Sequence, residues 1–313
     1  MRLTLPANIN ADGLLPFIAQ LGRVEATERV VELDFSGLRR VSPAALVALT
    51  AQVDAWRKRG VLVFPAGLPA CPILGYLQRM DVLAACGFSR PETFARHDAK
   101  GRFVPVRPVD HRVEEMGSEM ALCVAPGGDE FDHPLAGPYD LVWYVLTEMG
   151  NNVRQHSGGR GFASAQVGQS EGMVRLAIAD NGRGILESFR EAGLAWSTTM
   201  GDTDAILKAL EPRVSSKGSP YNEGVGLTLT SKMAELAEAW MLIVSGTGVV
   251  RLNPGSELRV SAGTLPDDAR YPGTVVALTF RQDKVNDFAF LLDAAKRASG
   301  LLHQKLERGK FAW

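Results

Sequence analysis

Met173-Val174-Arg175-Leu176-Ala177-Ile178-Ala179-Asp180-Asn181-Gly182-Arg183-Gly184-Ile185 reads as a strand that runs straight into a glycine turn. Val174, Leu176 and Ile178 recur at the strand period of two, and the run stops at Asp180. Phe162 to Val167 reads as a second strand, joined to the first by the polar turn Gln169 to Gly172. An Asp-Asn-Gly sequence by itself marks an ordinary hairpin or loop turn. What gives this one weight is the chain on either side of it.

Upstream, Leu141, Val142, Val145, Leu146 and Met149 form the apolar stripe of a helix over about Tyr139 to His156. Glu148, Asn152 and His156 are spaced by four, so their side chains fall along one row, a turn apart. A carboxylate and an amide oxygen so placed can share one ligand. Downstream, Gly224-Val225-Gly226-Leu227 opens a helix reaching about Ala239, with Leu229, Met233 and Leu236 on its buried face. Free amides at a helix start beside glycine form a phosphate cradle, to which Thr228 and Thr230 can add hydroxyls. No GxxxxGK[ST] occurs, so this is not a P-loop.

Between Ile185 and Gly224 lies a long stretch with Gly193, Gly201, Pro212, Gly218 and Pro220, helical over Asp204 to Leu210. Its length between two ligand-type turns suggests a mobile lid. Lys217, in Ser215-Ser216-Lys217, offers a point charge there. A strand over Met241 to Ser245, the turn Gly246-Thr247-Gly248 and a closing strand from Gly273 to Phe280 complete the pattern.

In this order the three elements resemble the GHKL (Bergerat-fold) ATP-binding superfamily, which includes gyrase-type ATPases, mismatch-repair ATPases, histidine kinases and anti-sigma serine kinases. The resemblance spans residues 103–283 and implies a two-layer α/β sandwich that binds ATP with Mg2+. It implies that Asp180 accepts from the exocyclic amine of adenine, with Gly182, Gly184 and Ile185 bringing backbone close to the base. It gives Gly224, Val225, Gly226, Leu227, Thr228 and Lys217 to the phosphates. Magnesium prefers oxygen ligands and keeps several waters, so Asn152 plus phosphate oxygens suffices to anchor it. Glu148 matches the residue that orients and deprotonates the attacking water or hydroxyl, help worth roughly 10² to 10⁴ in rate.

The string Glu148-Met149-Gly150-Asn151-Asn152-Val153-Arg154-Gln155-His156 most resembles the box of anti-sigma serine kinases. Histidine kinases usually carry asparagine where this chain has Glu148, and none of His97, His111, His133 or His303 sits in a phosphorylation box. His156 reads as a structural helix-end residue, and Arg154 and Arg160 as solvated.

The front of the chain has a different rhythm. Val30 to Phe35 is a short buried strand, Leu46, Val47, Leu49, Val53 and Trp56 recur at helical spacing after Pro43, and Val61 to Phe64 is the next strand. This βαβ unit should cross over right-handed. A further helix is expected over about Ile73 to Ala85. The order resembles a STAS domain, the small α/β fold of anti-sigma-factor antagonists, over about residues 1–95. In phosphorylatable members a serine at the helix start receives phosphate, but Pro43 and Ala44 stand at those positions. Ser42 remains, and as an N-cap it satisfies free amides, with Pro43 in its favoured first-turn place.

Residues 89–112, with Pro91, Gly101, Pro105 and Pro108, read as the connection, with a break near 100. Phe103 to Val109 reads as the first strand of the second domain and Val113 to Val124 as a helix. Residues 284–313 form a tail, helical from Phe288 to Leu306. The fold class expected is thus a small α/β STAS-like domain followed by a GHKL α/β sandwich.

The 313 residues, 46% hydrophobic and 22% charged, fit two ordinary cores. A net charge of -1 with scattered basic residues gives no footprint for nucleic acid. Cys71, Cys86 and Cys123 lack metal-type spacing and read as reduced thiols. No run of about 18 apolar residues occurs, so the expectation is a cytoplasmic protein without membrane contact. Two functions follow: an ATPase or serine/threonine kinase that recruits a protein partner through its STAS-like part, or a nucleotide-gated interaction switch with little catalysis. Dimerisation, common in the superfamily, is compatible with both.

Overall fold

Two short strands, β1 (Arg2–Thr4) and β2 (Asn8–Ile9), and a helix, α1 (Ala11–Gly22), open the computed structural model, which describes residues 1–168, 171–216, 224–256 and 259–301. None of the three stands out in the sequence, because the strands are too short to show alternation and Pro16 interrupts the helix. The expected strand, helix and strand follow as β3 (Val30–Asp34), α2 (Pro43–Lys58) and β5 (Leu62–Ala66), with β4 (Arg40–Val41) pairing with β2. β1, β3 and β5 form a parallel sheet in that order.

α2 begins as its sequence dictates. Ser42 Oγ accepts from the Ala45 amide at 3.3 Å, and Pro43 takes the first position, where a missing N–H costs nothing. The helix expected over residues 73–85 is instead two, α3 (Leu74–Arg79) and α4 (Val82–Ala85). Asp81 between them has φ 54°, and a left-handed residue cannot continue a right-handed helix.

The rest of the chain runs β6 (Phe103–Val109), α5 (Val113–Val124), α6 (Ala136–Asn152), β7 (Gly161–Gly168), β8 (Met173–Asp180), α7 (Gly184–Glu191), α8 (Asp202–Ala209) and α9 (Gly226–Leu236). Then come β9 (Trp240–Gly246), β10 (Gly248–Leu252), β11 (Val260–Thr264), β12 (Tyr271–Arg281) and α10 (Phe288–Ala298). Seven strands form one antiparallel sheet in the order β11-β10-β9-β12-β8-β7-β6. The molecule is therefore mixed α/β, a large antiparallel sheet with helices plus a small parallel sheet.

Alternation along β8 sends Val174, Leu176 and Ile178 to one face, where they meet Leu141, Val145 and Met149 of α6. Ala177 and Ala179 go to the other face, and α2 covers them. Every residue of α2 from Pro43 to Val53 is buried, because the helix is wedged between the two sheets, and a helix buried all round is apolar all round. One cluster thus joins the front unit to Phe162, Ala177, Ala179, Val244 and Val275 of the large sheet. Small alanines let α2 approach closely; Ala179→Leu would overpack this layer at a cost of about 1–3 kcal/mol.

Other boundaries moved for local reasons. α9 stops at Leu236 rather than near Ala239, since Glu238 is left-handed at φ 52°. α10 ends at Ala298, followed by Gly300 at φ 65°, and the expected stretch from residue 302 to Leu306 lies outside the described residues. The β10–β11 hairpin was not legible as strands. The stretch expected as a lid carries α7 and α8, packed around Leu186, Phe189 and Ala205, and the Asp202 carboxylate pins α8 to the Thr247 amide (3.0 Å) and Arg270 (2.8 Å). All three cysteines are free. Among the described residues no helix is long and apolar enough to cross a membrane.

Candidate functional site

β8 ends at Asp180, and the chain turns there because it meets the end of α6. The last turn of that helix widens into a π turn over Val153–Ser157, a distortion frequent at functional sites. It brings Ser157 Oγ to Asp180 Oδ1 at 2.7 Å. The Gly182 amide donates to the same oxygen at 2.8 Å and the Thr274 amide to Oδ2 at 3.2 Å. A Cβ at Gly182 would strike Ser157, and one at Gly273, itself at φ 89°, would strike Asp180. Both glycines are required by close packing.

Asp180 is buried, 5% exposed. Burial pushes its carboxyl up to about 6, against the pull of those three hydrogen bonds. It therefore stays ionised at neutral pH while remaining easy to protonate below it. The carboxylate borders a cleft open to solvent, walled on its apolar side by Ile178, Ile185, Phe189 and Val276.

Glu148 and Asn152, on the last turns of α6, line the same cleft. Burial raises the Glu148 carboxyl above its ordinary range. Across from it Gly226 opens α9, and a Cβ there would run into the Glu148 carboxylate as it is placed, so a side chain at 226 would have to push that carboxylate aside. Among the described residues no side chain caps α9, and its first turn, at Gly226 and Leu227, borders the cleft with the amide donors of a helix start. Asn152 turns its amide nitrogen to Met149 Sδ at 3.8 Å, which leaves its oxygen as the polar end available to a ligand.

The sequence-expected residues thus divide. Glu148, Asn152, Asp180, Gly184, Ile185, Gly224, Gly226 and Leu227 line one cleft. Gly182 supports Asp180 from behind, and Val225 lies outside the lining. Thr228 is buried, 1% exposed, and its hydroxyl donates to the Glu211 carbonyl at 3.0 Å, away from the cleft. Lys217 lies outside the described residues. Arg160 is not simply solvated: it pairs with Asp54 at 2.9 Å.

His156, read as structural, lines the cleft, with Nδ1 2.6 Å from Ser216 Oγ, which in turn lies 2.8 Å from Ser188 Oγ. This chain of contacts ties the end of α6 to α7 and to the segment after α8. Sequence reasoning missed Ser157, Thr274 and Ser245. Ser245 Oγ accepts from the Ile185 amide at 2.9 Å and donates to the Gly273 carbonyl at 3.2 Å, holding the Asp180 turn to β9 and β12. The Gly273-Thr274 pair at the head of the closing strand was the available signal.

Among the described residues no group of three or more His, Cys, Asp or Glu side chains converges on a metal position. Comparison with known proteins finds no matching family model, no matching curated protein and no matching solved structure.

Proposed function

We propose that the cleft binds ATP with magnesium, in the manner of GHKL proteins, and that the protein is an ATPase or serine/threonine kinase whose STAS-like front unit recruits or controls a protein partner. The observation that carries this reading is convergence. Glu148 and Asn152, the Asp180 turn and the amide-rich start of α9 come from segments far apart in the chain, yet they border one cleft.

Each group suits its part. Asp180, ionised at neutral pH with a carboxyl near 6, accepts from an exocyclic amine while Ile178 and Val276 flank a flat base. The α9 amides receive phosphate oxygens. Asn152 would hold magnesium through its amide oxygen, and the ion would neutralise phosphate charge. Glu148, made more basic by burial, takes the proton from the attacking water or hydroxyl. Phosphoryl transfer asks for such positioning and charge neutralisation more than for covalent chemistry.

Glu148→Ala tests it: ATP affinity should persist while phosphate release or transfer falls by roughly 10² to 10⁴. Undiminished turnover in that variant would overturn the catalytic reading. A nucleotide-gated switch is the second reading, and one observation favours it. Pro43 and Ala44, at the acceptor positions of a phosphorylatable STAS helix, are buried in the first turn of α2, and the Ser42 hydroxyl is engaged as its cap. Wild-type protein that binds ATP without turnover selects this reading.

A further inference from the structure

We propose that Asn181 and Asp54 are positioning residues that clamp the base-reading turn to α2 of the front unit and thereby set the preference for adenine over guanine. This rests on the adenine-nucleotide reading of the cleft. Neither side chain lines the cleft. Asn181 instead points backward from the turn. Its Nδ2 donates to the Ala51 carbonyl at 3.0 Å and to Asp54 Oδ2 at 2.7 Å. Its Oδ1 accepts from the Arg160 amide at 2.9 Å and from Lys58 Nζ at 3.3 Å.

Asp54 is held in turn by Lys58 at 3.0 Å and Arg160 at 2.9 Å, with its side chain 16% exposed. Both ends of one amide are thus committed to fixed partners on two units of the fold. The next residue back is Asp180, and the next forward is Gly182, whose amide fixes Asp180 Oδ1. A shift of α2 therefore pulls on the base-reading carboxylate from both sides. Selectivity between an exocyclic amine and a carbonyl depends on how firmly that carboxylate is held, because a site that can adjust tolerates the wrong partner.

The Asn181 amide both donates and accepts here. In N181D a carboxylate faces both the Asp54 carboxylate and the Ala51 carbonyl, whereas adding D54N restores a donor against the first and leaves the Ala51 carbonyl without its donor. The experiment uses the full chain and measures ATP and GTP affinities by calorimetry for wild type, N181D, D54N and the double variant N181D/D54N. N181D should cut the ATP-to-GTP preference by about tenfold, and the double variant should recover part of it. Asp54→Ala supplies the same readout should N181D not fold.

A variant that loses thermal stability but keeps the wild-type preference overturns the inference, as does a double variant no better than N181D. Wild type that binds neither nucleotide overturns the adenine-nucleotide reading itself, and this inference with it. Wild type that binds ATP with an unchanged preference in the variants overturns the inference alone.

Discussion

Asp34 ends β3 and Asp180 ends β8, and both side chains are nearly shielded from water, the residues being 6% and 5% exposed. Each has a left-handed glycine beside it, Gly67 and Gly273, where a Cβ would strike the aspartate. Their ionisation nevertheless moves in opposite directions. The Ser36 amide and then the Arg2 guanidinium, 3.0 and 2.8 Å away, hold the Asp34 carboxyl down at about 2. Asp34 lies near the surface beneath the exposed Arg2, whereas Asp180 lies deep, with hydrogen bonds but no cation partner, so burial prevails and lifts it to about 6. The contrast separates two settings of one residue: a carboxylate closed by a cation near the surface, and one without a cation beside a cleft, the setting on which the proposed adenine contact rests.

The strongest way to break this comparison is Asp180→Asn beside Asp34→Asn. The first should lower ATP affinity more than about 100-fold, because both carboxylate oxygens face donors and an amide has only one accepting oxygen, so its NH2 must be set against a donor. The second should leave the affinity within about twofold. Calorimetric titration decides, and equal losses would erase the distinction.

Stability against pH sharpens it. Asp180 has its folded carboxyl above the ordinary range, so its contribution is complete below about 4 and lost as pH rises through about 6. Without nucleotide, Asp180→Asn should therefore gain on wild type between pH 4 and 7, by roughly 2–3 kcal/mol in urea unfolding. Asp34 runs the other way: its contribution is present above the ordinary carboxylate range and lost as pH falls towards about 2. Asp34→Asn should be less stable than wild type at pH 7, with the gap closing on acidification. Matching trends for the two variants would refute the assignment.

The smallest effect concerns the donors around Asp180. Ser157→Ala removes the 2.7 Å hydrogen bond to Oδ1 and should weaken ATP binding about three- to tenfold, since one hydrogen bond to a charged group is worth roughly 1.5–3 kcal/mol and water can replace part of it. Unchanged affinity would mean that the backbone amides alone hold the carboxylate.

How much was legible follows from distance along the chain. Glu148 and Asn152 share a row because helical spacing is local, and the Asp180 turn follows its strand directly. Ser157 was hidden because the π turn that swings it to Asp180 has no signature in the residues Val153 to Ser157 themselves. Thr274 lies 94 residues beyond Asp180, and nothing in either segment names the other. Asn181 looked like a turn residue because its partners Ala51 and Asp54 lie 130 and 127 residues upstream. The Thr228 hydroxyl was open for the converse reason: near a helix start it suits a ligand or the Glu211 carbonyl equally well, and packing turns it to the carbonyl.

By itself, the sequence determined what lies within a turn or a strand: the cap at Ser42, the row of Glu148 and Asn152, the strand into Asp180 and the glycines that free the start of α9. These depend on backbone geometry and on side chains a few residues apart. Only the tertiary structure decided that α2 lies between two sheets, that Gly226 meets Glu148, and that Asn181 faces the front unit rather than the cleft. Those contacts join segments separated by tens to hundreds of residues, and they arise when apolar faces are buried together, a driving force that does not specify partners by residue type.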